Sequence, residues 1–244
     1  MSNGAENADA GRGDGISQAT RSGRMAAYLQ SLEPFADEAL NRLRDEAEQN
    51  GVPIIRPETE SFLRTMIKIT QPARILEIGT AVGYSSIVMA KAGDARIDTI
   101  ENYEKRIPAA RANIKAAGLE DRIRLIEGDA GKVLKELLRA GLPKGAGPVS
   151  GPRAVYDFVF LDAAKGQYLT WLPDILQLMR SGAVLVADNV LQDETVAESR
   201  FAIPRRERTT HARMREFLYE IKHHPRLESC ILPVGDGVSL SILL

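Results

Sequence analysis

Residues 74–84 read RILEIGTAVGY, and this stretch decides the fold. Its first five residues form a short apolar run of the kind found in a buried strand, and Gly79 and Gly83 follow before a helical pattern begins at Tyr84. A glycine-rich turn between a strand and a helix lets the backbone approach a ligand closely. The segment therefore predicts the first strand of an α/β sheet, with a ligand site at its carboxyl end.

The chain beyond this turn alternates between short apolar runs and amphipathic segments. We predict helices at 84–91, 105–117 and 132–138, between strands at 74–78, 95–100, 123–126, 156–161 and 183–187. This alternation is typical of a parallel sheet covered by helices on both faces. The end of the chain differs, because 230–234 and 238–243 flank a Gly-Asp-Gly turn and predict an antiparallel hairpin.

Composition narrows the functional classes. The 244 residues carry a formal charge of −1, which argues against a polycation that coats nucleic acid by charge alone. One cysteine and three histidines argue against a disulfide framework and a Cys- or His-based zinc site. The chain has no apolar run long enough for a membrane span and no secretory signal, so we expect a cytoplasmic protein.

Domain organisation follows from composition as well. Residues 1–22 are rich in small and polar residues and predict a disordered tail, whereas 23–244 predict a single domain. Three helices are predicted before the first strand, the first from Met25, the second starting at Pro34 and the third at Pro57. The glycine- and proline-rich segment 141–153 predicts an exposed loop.

Acidic residues at the first three strand ends indicate what the turn binds. Glu77 stands where a dinucleotide fingerprint has its first glycine, and an acid there repels a pyrophosphate but suits a cation. Glu101, at the end of the second strand, suits two ribose hydroxyls, while Asp129 and the Ala130 amide suit an adenine. Together they predict a site for a positively charged nucleoside such as S-adenosylmethionine. A dinucleotide site and a simple packing turn remain alternatives.

The fourth and fifth strands end in hard oxygen ligands. Asp162 follows the fourth strand, and Asp188 and Asn189 follow the fifth. Such side chains suit an octahedral Mg²⁺ that keeps positions open for water or substrate. Lys165 lies three residues after Asp162, and a nearby cation would lower its pKa so that it acts as a base. The alternatives are a helix cap at Asp162, a turn at Asp188 and a surface lysine paired with Asp162.

Four motifs carry a resemblance to a known family. The chain resembles the cation-dependent class I O-methyltransferases, which include catechol and caffeoyl-CoA O-methyltransferases, through ILEIGTAVGYSS (75–86), FLDAAKGQY (160–168), VADNVL (186–191) and PVGDGVSLS (233–241). The resemblance covers about 25–244. It is greatest to the bacterial tRNA 5-hydroxyuridine methyltransferases, through VPI at 52–54, DAAKGQY at 162–168, the arginine-rich stretch 204–208 and HP followed by ILPVGDG within 224–237.

The resemblance implies a Rossmann-like class I methyltransferase fold, whose seven-stranded sheet is mostly parallel with an antiparallel last strand. It also implies an S-adenosylmethionine site, for which the candidate residues are Ile55 (through its backbone), Glu77, Gly79, Tyr84, Ser85, Glu101, Asp129, Ala130 and Asp162. Mg²⁺ would be held by Asp162, Asp188 and Asn189, with Asp162 and Lys165 as the catalytic pair. The family further suggests a homodimer, to which the helices near 25–50 would contribute.

The metal motif leaves the acceptor open. Mg²⁺ with two free adjacent positions chelates two neighbouring oxygens, which catechols and 5-hydroxyuridine both supply. Arg205, Arg206 and Arg208 are candidate RNA contacts, although we interpret the arginine-rich segment as lacking interleaved aromatic residues, and a solvated helix face is the alternative. The first hypothesis is methylation of tRNA wobble 5-hydroxyuridine to 5-methoxyuridine. The others are methylation of a small catechol or phenylpropanoid, and a non-catalytic RNA- or nucleoside-binding module.

Overall fold

The computed structural model describes residues 37–140 and 155–244, together with 24, 25, 27–29, 31 and 32. The chain divides into two compact units, residues 1–34 and 35–244. In the first unit, 24, 25, 27–29 and 31 are helical. The predicted tail at 1–22 and the whole of the predicted loop at 141–153 lie outside the described residues, so these predictions and the domain boundary stay untested, as does the homodimer.

The second unit alternates helices and strands as predicted. Its helices are α1 (Glu38–Gln49), α2 (Pro57–Thr70), α3 (Tyr84–Ala92), α4 (Ile107–Ala116), α5 (Ala130–Ala140), α6 (Tyr168–Leu178) and α7 (Arg208–His223). Its strands are β1 (Arg74–Ile78), β2 (Arg96–Glu101), β3 (Ile123–Glu127), β4 (Tyr156–Leu161), β5 (Met179–Ala187), β6 (Leu227–Leu232) and β7 (Val238–Leu243). Short 3₁₀ turns occupy Lys165–Gln167 and Thr195–Ala197. Among the described helices, none combines the length and apolar character that a bilayer crossing requires.

The seven strands form one sheet in the order β3-β2-β1-β4-β5-β7-β6. β1 to β5 pair in parallel, and β7 lies antiparallel between β5 and β6. The prediction of a mostly parallel sheet with an antiparallel last strand is therefore confirmed. The chain runs outward from β1 to β3 and then returns to β4 beside β1. This reversal creates a switch point at the carboxyl ends of β1 and β4, where open α/β sheets bind ligands.

Two apolar cores lie on opposite faces of the sheet, because successive residues of a strand point to opposite sides. On one face, Leu76 and Leu185 pack with buried residues of α5, α6 and α7. On the other, Ile75 and Val184 pack with residues of α1, α2, α3 and α4. The prediction of helices on both faces is confirmed.

Three differences from the sequence-based boundaries have physical reasons. The sequence interpretation places Tyr168 in helix packing but gives no bounds for α6, whose pattern Pro173 interrupts; the structure buries Tyr168 and Ile175 on the apolar side of this helix. α1 begins after Asp37, whose side chain accepts a hydrogen bond from the Ala39 amide, rather than at Pro34, which lies outside the described residues. β5 extends back to Met179, although its first residues are largely exposed.

Candidate functional site

A cavity of about 870 Å³ opens at the carboxyl ends of β1, β2, β3 and β4. It is lined by ten of the predicted site residues: Ile55, Gly79, Tyr84, Ser85, Glu101, Asp129, Ala130, Asp162, Lys165 and Asn189. Glu77, Asp188 and the three candidate RNA-binding arginines do not line it. The fold thus brings the predicted nucleoside residues and most of the predicted cation residues to one opening.

The turn after β1 brings three strand ends together. Gly79 has a φ of 106°, and a Cβ there would lie 1.9 Å from the backbone oxygen of Asp162, so only glycine fits. The Gly79 amide donates to the Ile100 carbonyl at 3.0 Å, and the Asp162 amide donates to the Ile78 carbonyl at 3.0 Å. The ends of β1, β2 and β4 are therefore locked side by side at the edge of the cavity.

Glu77 lies beneath this turn and is fully buried. Its carboxylate accepts hydrogen bonds from the hydroxyls of Ser85 and Thr99, each at 2.5 Å, and from Ser86. Burial raises the pKa of Glu77 to about 7, and the three hydroxyls act in the opposite direction. The sequence suggests an acid that faces the ligand's positive charge, but the Glu77 side chain is enclosed by these hydroxyls instead.

Glu101 is a rigidly held acceptor at the end of β2. Its carboxylate accepts from the backbone amides of Ala81 at 2.7 Å, Asn102 at 2.9 Å and Tyr103 at 2.8 Å. Such preorganisation suits a carboxylate that also receives hydroxyl groups from a ligand. Asp129 is exposed and has a second role, because its side chain accepts from the Lys132 amide at 3.0 Å in the first turn of α5.

Lys165 lies in the part of the site formed by the residues that follow β4 and β5. Its ammonium donates to Asp162 Oδ1 at 2.8 Å, to Asn189 Oδ1 at 2.5 Å and to the Tyr168 hydroxyl at 3.1 Å. Burial alone would lower the pKa of Lys165, but the interactions with Tyr168 and Asp162 outweigh it, so the net shift is upward. The expectation of a Lys165 poised near neutrality does not describe this arrangement, in which the ammonium is paired with a carboxylate.

Asp188 is a second buried acid, 1% exposed, in the same part of the site. It accepts from the Asn189 amide at 2.8 Å and from the Thr59 hydroxyl at 3.5 Å. Burial raises the pKa of Asp188 to about 7, and the negative charge of Asp162 adds to this shift. A buried carboxylate next to another acid is an unfavourable arrangement that added positive charge relieves.

The residues fit a hard divalent cation. The last residues of β4 and β5, Leu161 and Ala187, are paired in register, so the acids and the amide that follow them gather at adjacent strand ends. Among residues 37–140 and 155–244, no group of three or more His, Cys, Asp or Glu side chains is arranged to hold a metal. The predicted set instead joins two carboxylates to one amide oxygen, which suits Mg²⁺ rather than zinc.

Two residues that the sequence analysis missed complete the surroundings of the acids. Thr59, in the first turn of α2, is buried and reaches Asp188. Tyr168, whose pattern indicates helix packing, is buried and places its hydroxyl within reach of Lys165 and of the Leu161 carbonyl, at 3.1 Å from each. A polar residue within an apolar helical stripe was the only sequence signal for either.

The arginine-rich segment only partly matches its predicted role. Arg208 donates to the Ile203 carbonyl at 2.9 Å, and the exposed Arg206 pairs with Glu207 at 3.0 Å. Arg205 is exposed. The arginine-rich segment as a whole runs from Arg200 to Arg215, and the interpretation that it lacks interleaved aromatic residues was wrong, because Phe201 follows Arg200 and is 86% exposed. The segment therefore combines arginines that hold a loop with an exposed aromatic ring.

Comparisons with known proteins agree with this geometry. The family profile Methyltransf_3, described as O-methyltransferase, matches residues 30–243. A catechol O-methyltransferase of Niastella koreensis is 33% identical over 181 residues, which cover 72% of this chain and 77% of that protein. Caffeoyl-CoA O-methyltransferase 2 of Populus trichocarpa is 31% identical over 222 residues, covering 86% and 83%.

A solved structure shows the same relation in three dimensions. The O-methyltransferase of Bacillus cereus in complex with SAH superposes with a TM-score of 0.76 at 26% identity, covering 91% of this chain and 97% of that one. The sheet order, the cavity at its switch point and these matches lead to one conclusion. The chain belongs to the O-methyltransferase family.

Proposed function

We propose that the protein transfers the methyl group of S-adenosylmethionine to a hydroxyl oxygen of an acceptor that carries two adjacent oxygens. One observation carries the proposal: the side-chain oxygens of Asp162 and Asn189 both accept a hydrogen bond from the ammonium nitrogen of Lys165. These three residues line the same cavity as Gly79 and Glu101. A site for a nucleoside and a site for a cation thereby share one cavity. The SAH in the Bacillus cereus relative supports the choice of cofactor, since SAH is the demethylated form of S-adenosylmethionine.

In this proposal the first half of the cavity binds the cofactor. Glu101 receives the ribose hydroxyls, the backbone at Gly79 allows close approach, and Asp129 with the Ala130 amide meets the adenine. The remaining cofactor candidates shape the wall, with Ile55, Tyr84 and Ser85 at the cavity surface and Glu77 holding Ser85 from behind. The methyl group then faces the second half of the cavity.

Asp162, Asp188 and Asn189 would hold Mg²⁺. When bound, Mg²⁺ stabilises the oxyanion of the acceptor and, as a like charge, lowers the pKa of the neighbouring Lys165 ammonium. Lys165 Nζ takes the proton of the acceptor hydroxyl, and the Tyr168 hydroxyl at 3.1 Å keeps this nitrogen in place. The acceptor oxygen then attacks the sulfonium methyl in a single displacement, in which the sulfur–methyl bond breaks and S-adenosylhomocysteine leaves. The positioning of both reactants contributes much of the acceleration.

For the acceptor we propose 5-hydroxyuridine at the tRNA wobble position, which would become 5-methoxyuridine. The C4 carbonyl and C5 hydroxyl of this base are two adjacent oxygens. The exposed ring of Phe201 offers a stacking surface for a base, and the exposed Arg205 and Arg206 suit phosphates. Arg208 contributes indirectly, since its guanidinium holds the Ile203 carbonyl of the same loop.

A small catechol or phenylpropanoid is the second candidate acceptor. It is favoured by the names of two relatives, a catechol O-methyltransferase and a caffeoyl-CoA O-methyltransferase. Catechols also present two adjacent oxygens, so the cation site accepts them by the same chemistry. The two candidate acceptors would make different contacts outside the cavity, because only an RNA is large enough to need the segment that carries Phe201 and Arg205.

One assay separates the candidates. The purified protein is given labelled S-adenosylmethionine and Mg²⁺ with tRNA that contains 5-hydroxyuridine, or with catechol, or with caffeoyl-CoA. We expect kcat/KM to be highest for tRNA, and expect the double variant Arg205→Ala, Arg206→Ala to raise KM for tRNA about tenfold while kcat for catechol is unchanged. A higher kcat/KM for catechol with no effect of the arginines would support the second candidate. Transfer to none of these acceptors would contradict both.

A further inference from the structure

Asp236 lies in the turn between β6 and β7, beside the proposed cation site. Its Oδ2 lies 3.4 Å from Nδ2 of Asn189, and its Oδ1 accepts from the Asp193 backbone amide. The cation ligand Asn189 is thus flanked by Lys165 on one side and Asp236 on the other. The roles proposed so far for the cofactor, the cation and the proton do not use Asp236.

The chemistry of the two neighbours fixes the orientation of the Asn189 amide. The Lys165 ammonium has only donors, so the Asn189 atom 2.5 Å away is the carbonyl oxygen. The Asp236 carboxylate has only acceptors, so it faces the amide nitrogen. A reversed amide would set donor against donor at Lys165 and acceptor against acceptor at Asp236. The pair therefore selects which end of the amide faces the cation site.

Rotation of the amide is the main freedom that the fold leaves to Asn189. The backbone of Asn189 has a φ of 55°, and its backbone N–H donates to Asp188 Oδ1 at 2.8 Å. The terminal torsion of an asparagine is broad, so packing along the backbone does not by itself distinguish oxygen from nitrogen. A partner with acceptors only, such as Asp236, supplies that distinction.

The turn that carries Asp236 is itself held against the segment after β5. The Leu191 amide donates to the Asp236 carbonyl at 3.1 Å, and the Val190 amide donates to the Gly237 carbonyl at 2.9 Å. A Cβ at Gly237, where φ is 84°, would lie 2.2 Å from Leu191 Cγ, which shows how close the two segments are. Asp236 is thus presented to Asn189 by a backbone that has little room to move.

We propose that Asp236 is a positioning residue, which turns the Asn189 carbonyl oxygen toward the divalent cation; this inference rests on the cation site of the proposed function. The groups around metal ligands act in this way in other proteins, and their loss lowers metal affinity about 10- to 100-fold. Asp236 does not line the cavity, so it lies outside the contacts proposed for the acceptor and the cofactor. Its effect is on the affinity of the cation site.

Calorimetric titration of the full chain with Mn²⁺ alone tests the proposal without relying on activity. We expect Asp236→Ala to weaken Mn²⁺ binding about 10- to 100-fold, and Asp236→Asn, which keeps an acceptor oxygen, to weaken it less than about tenfold. Asp193→Asn is the matched control, because it removes an acidic side chain from the adjoining segment after β5 and leaves the backbone amide that Asp236 contacts. Its Mn²⁺ affinity should stay within about twofold of the wild type. Circular dichroism checks that each variant folds.

Repeating the titration in an Asn189→Asp background distinguishes an effect of Asp236 on amide orientation from an effect of its negative charge. Asn189→Asp has two equivalent oxygens, so orientation no longer matters, and adding Asp236→Ala should cost no affinity. An equal loss from Asp236→Ala in both backgrounds would overturn the proposal. Mn²⁺ binding by the wild type with no loss in Asp236→Ala would also overturn it while leaving the proposed function intact. Absence of Mn²⁺ binding by the wild type would overturn the cation site and this inference together.

Discussion

Glu77, in β1, and Asp188, directly after β5, are two buried carboxylates near the carboxyl ends of strands in one sheet. Burial raises the pKa of each to about 7. Their surroundings differ. Glu77 is enclosed by three hydroxyl donors from within the fold, whereas Asp188 has one amide donor, one distant hydroxyl and the like charge of Asp162 nearby. The fold thus satisfies Glu77 internally, whereas Asp188 has fewer donors and lies where we propose that the cation binds.

The difference distinguishes a structural acid from a functional one. A buried carboxylate with internal donors needs no ligand, although it can shape the wall of a site. A buried carboxylate that lies among other oxygens and has few donors is a feature of ion-binding sites. A raised pKa therefore occurs both in a structural acid, such as Glu77, and in a candidate ion ligand, such as Asp188. The hydrogen-bond partners of the carboxylate distinguish the two.

The largest expected effect is on catalysis by Asp188→Asn. Loss of one carboxylate ligand should lower kcat/KM for methyl transfer roughly 1000-fold, because cation stabilisation of the acceptor oxyanion contributes several kcal/mol. Glu77→Gln is the matched variant, a buried acid changed to its amide, and should lower kcat/KM less than about tenfold. Steady-state kinetics with labelled S-adenosylmethionine measures both. Equal losses in the two variants would remove the distinction between the two acids.

The end of β1, which carries Glu77, meets the end of β4 at Gly79, and β4 pairs with β5, which precedes Asp188. A side chain at Gly79 should therefore disrupt both regions. Gly79→Ala places its Cβ against the Asp162 backbone oxygen and should lower the free energy of unfolding by about 3 kcal/mol or more. Gly118→Ala is the control, since Gly118 also has a positive φ but a Cβ there would meet no atom within 4 Å. Its cost should be about 1 kcal/mol in urea unfolding. Similar costs at both positions would contradict the close approach at Gly79.

The pH dependence of stability should report Glu77 directly. Since its folded pKa is raised from 4.5 to about 7, its contribution to stability is complete below pH 4.5 and is lost as pH rises toward 7. Relative to Glu77→Gln, the wild type should lose about 3 kcal/mol across this range, at about 1.36 kcal/mol per pKa unit. Urea unfolding at several pH values in EDTA measures the difference between the two proteins. Parallel pH profiles would show that Glu77 has an ordinary pKa.

Added Mg²⁺ should stabilise the protein through Asp188 and not through Glu77. At a free concentration of roughly 100 times Kd, the stabilisation is about 2.7 kcal/mol. We expect thermal unfolding to shift upward with Mg²⁺ in the wild type and in Glu77→Gln, and not in Asp188→Asn. A shift retained in Asp188→Asn would place the cation elsewhere.

Much of the fold could be predicted from sequence because apolar runs and glycine turns are local signals. The bounds of β1, β4 and β7 match the predicted ones, whereas α6 escaped prediction because Pro173 interrupts a helix that is stabilised by tertiary packing. At the site, Asp162 and Asn189, which converge on Lys165, could be predicted as strand-end residues, whereas the contact of Tyr168 with Lys165 could not. The enclosure of Glu77 by Ser86 and Thr99 could not, since it depends on how α3 and β2 pack.

The central claim is that Asp162, Asp188 and Asn189 hold a divalent cation that methyl transfer requires. Dialysis of the wild type against EDTA, followed by stepwise return of Mg²⁺ in an assay with labelled S-adenosylmethionine and the preferred acceptor, tests it most directly. We expect transfer to be lost in EDTA, to return with Mg²⁺ in the wild type, and not to return in Asp162→Asn. Undiminished transfer in EDTA, or full recovery in Asp162→Asn, would contradict it.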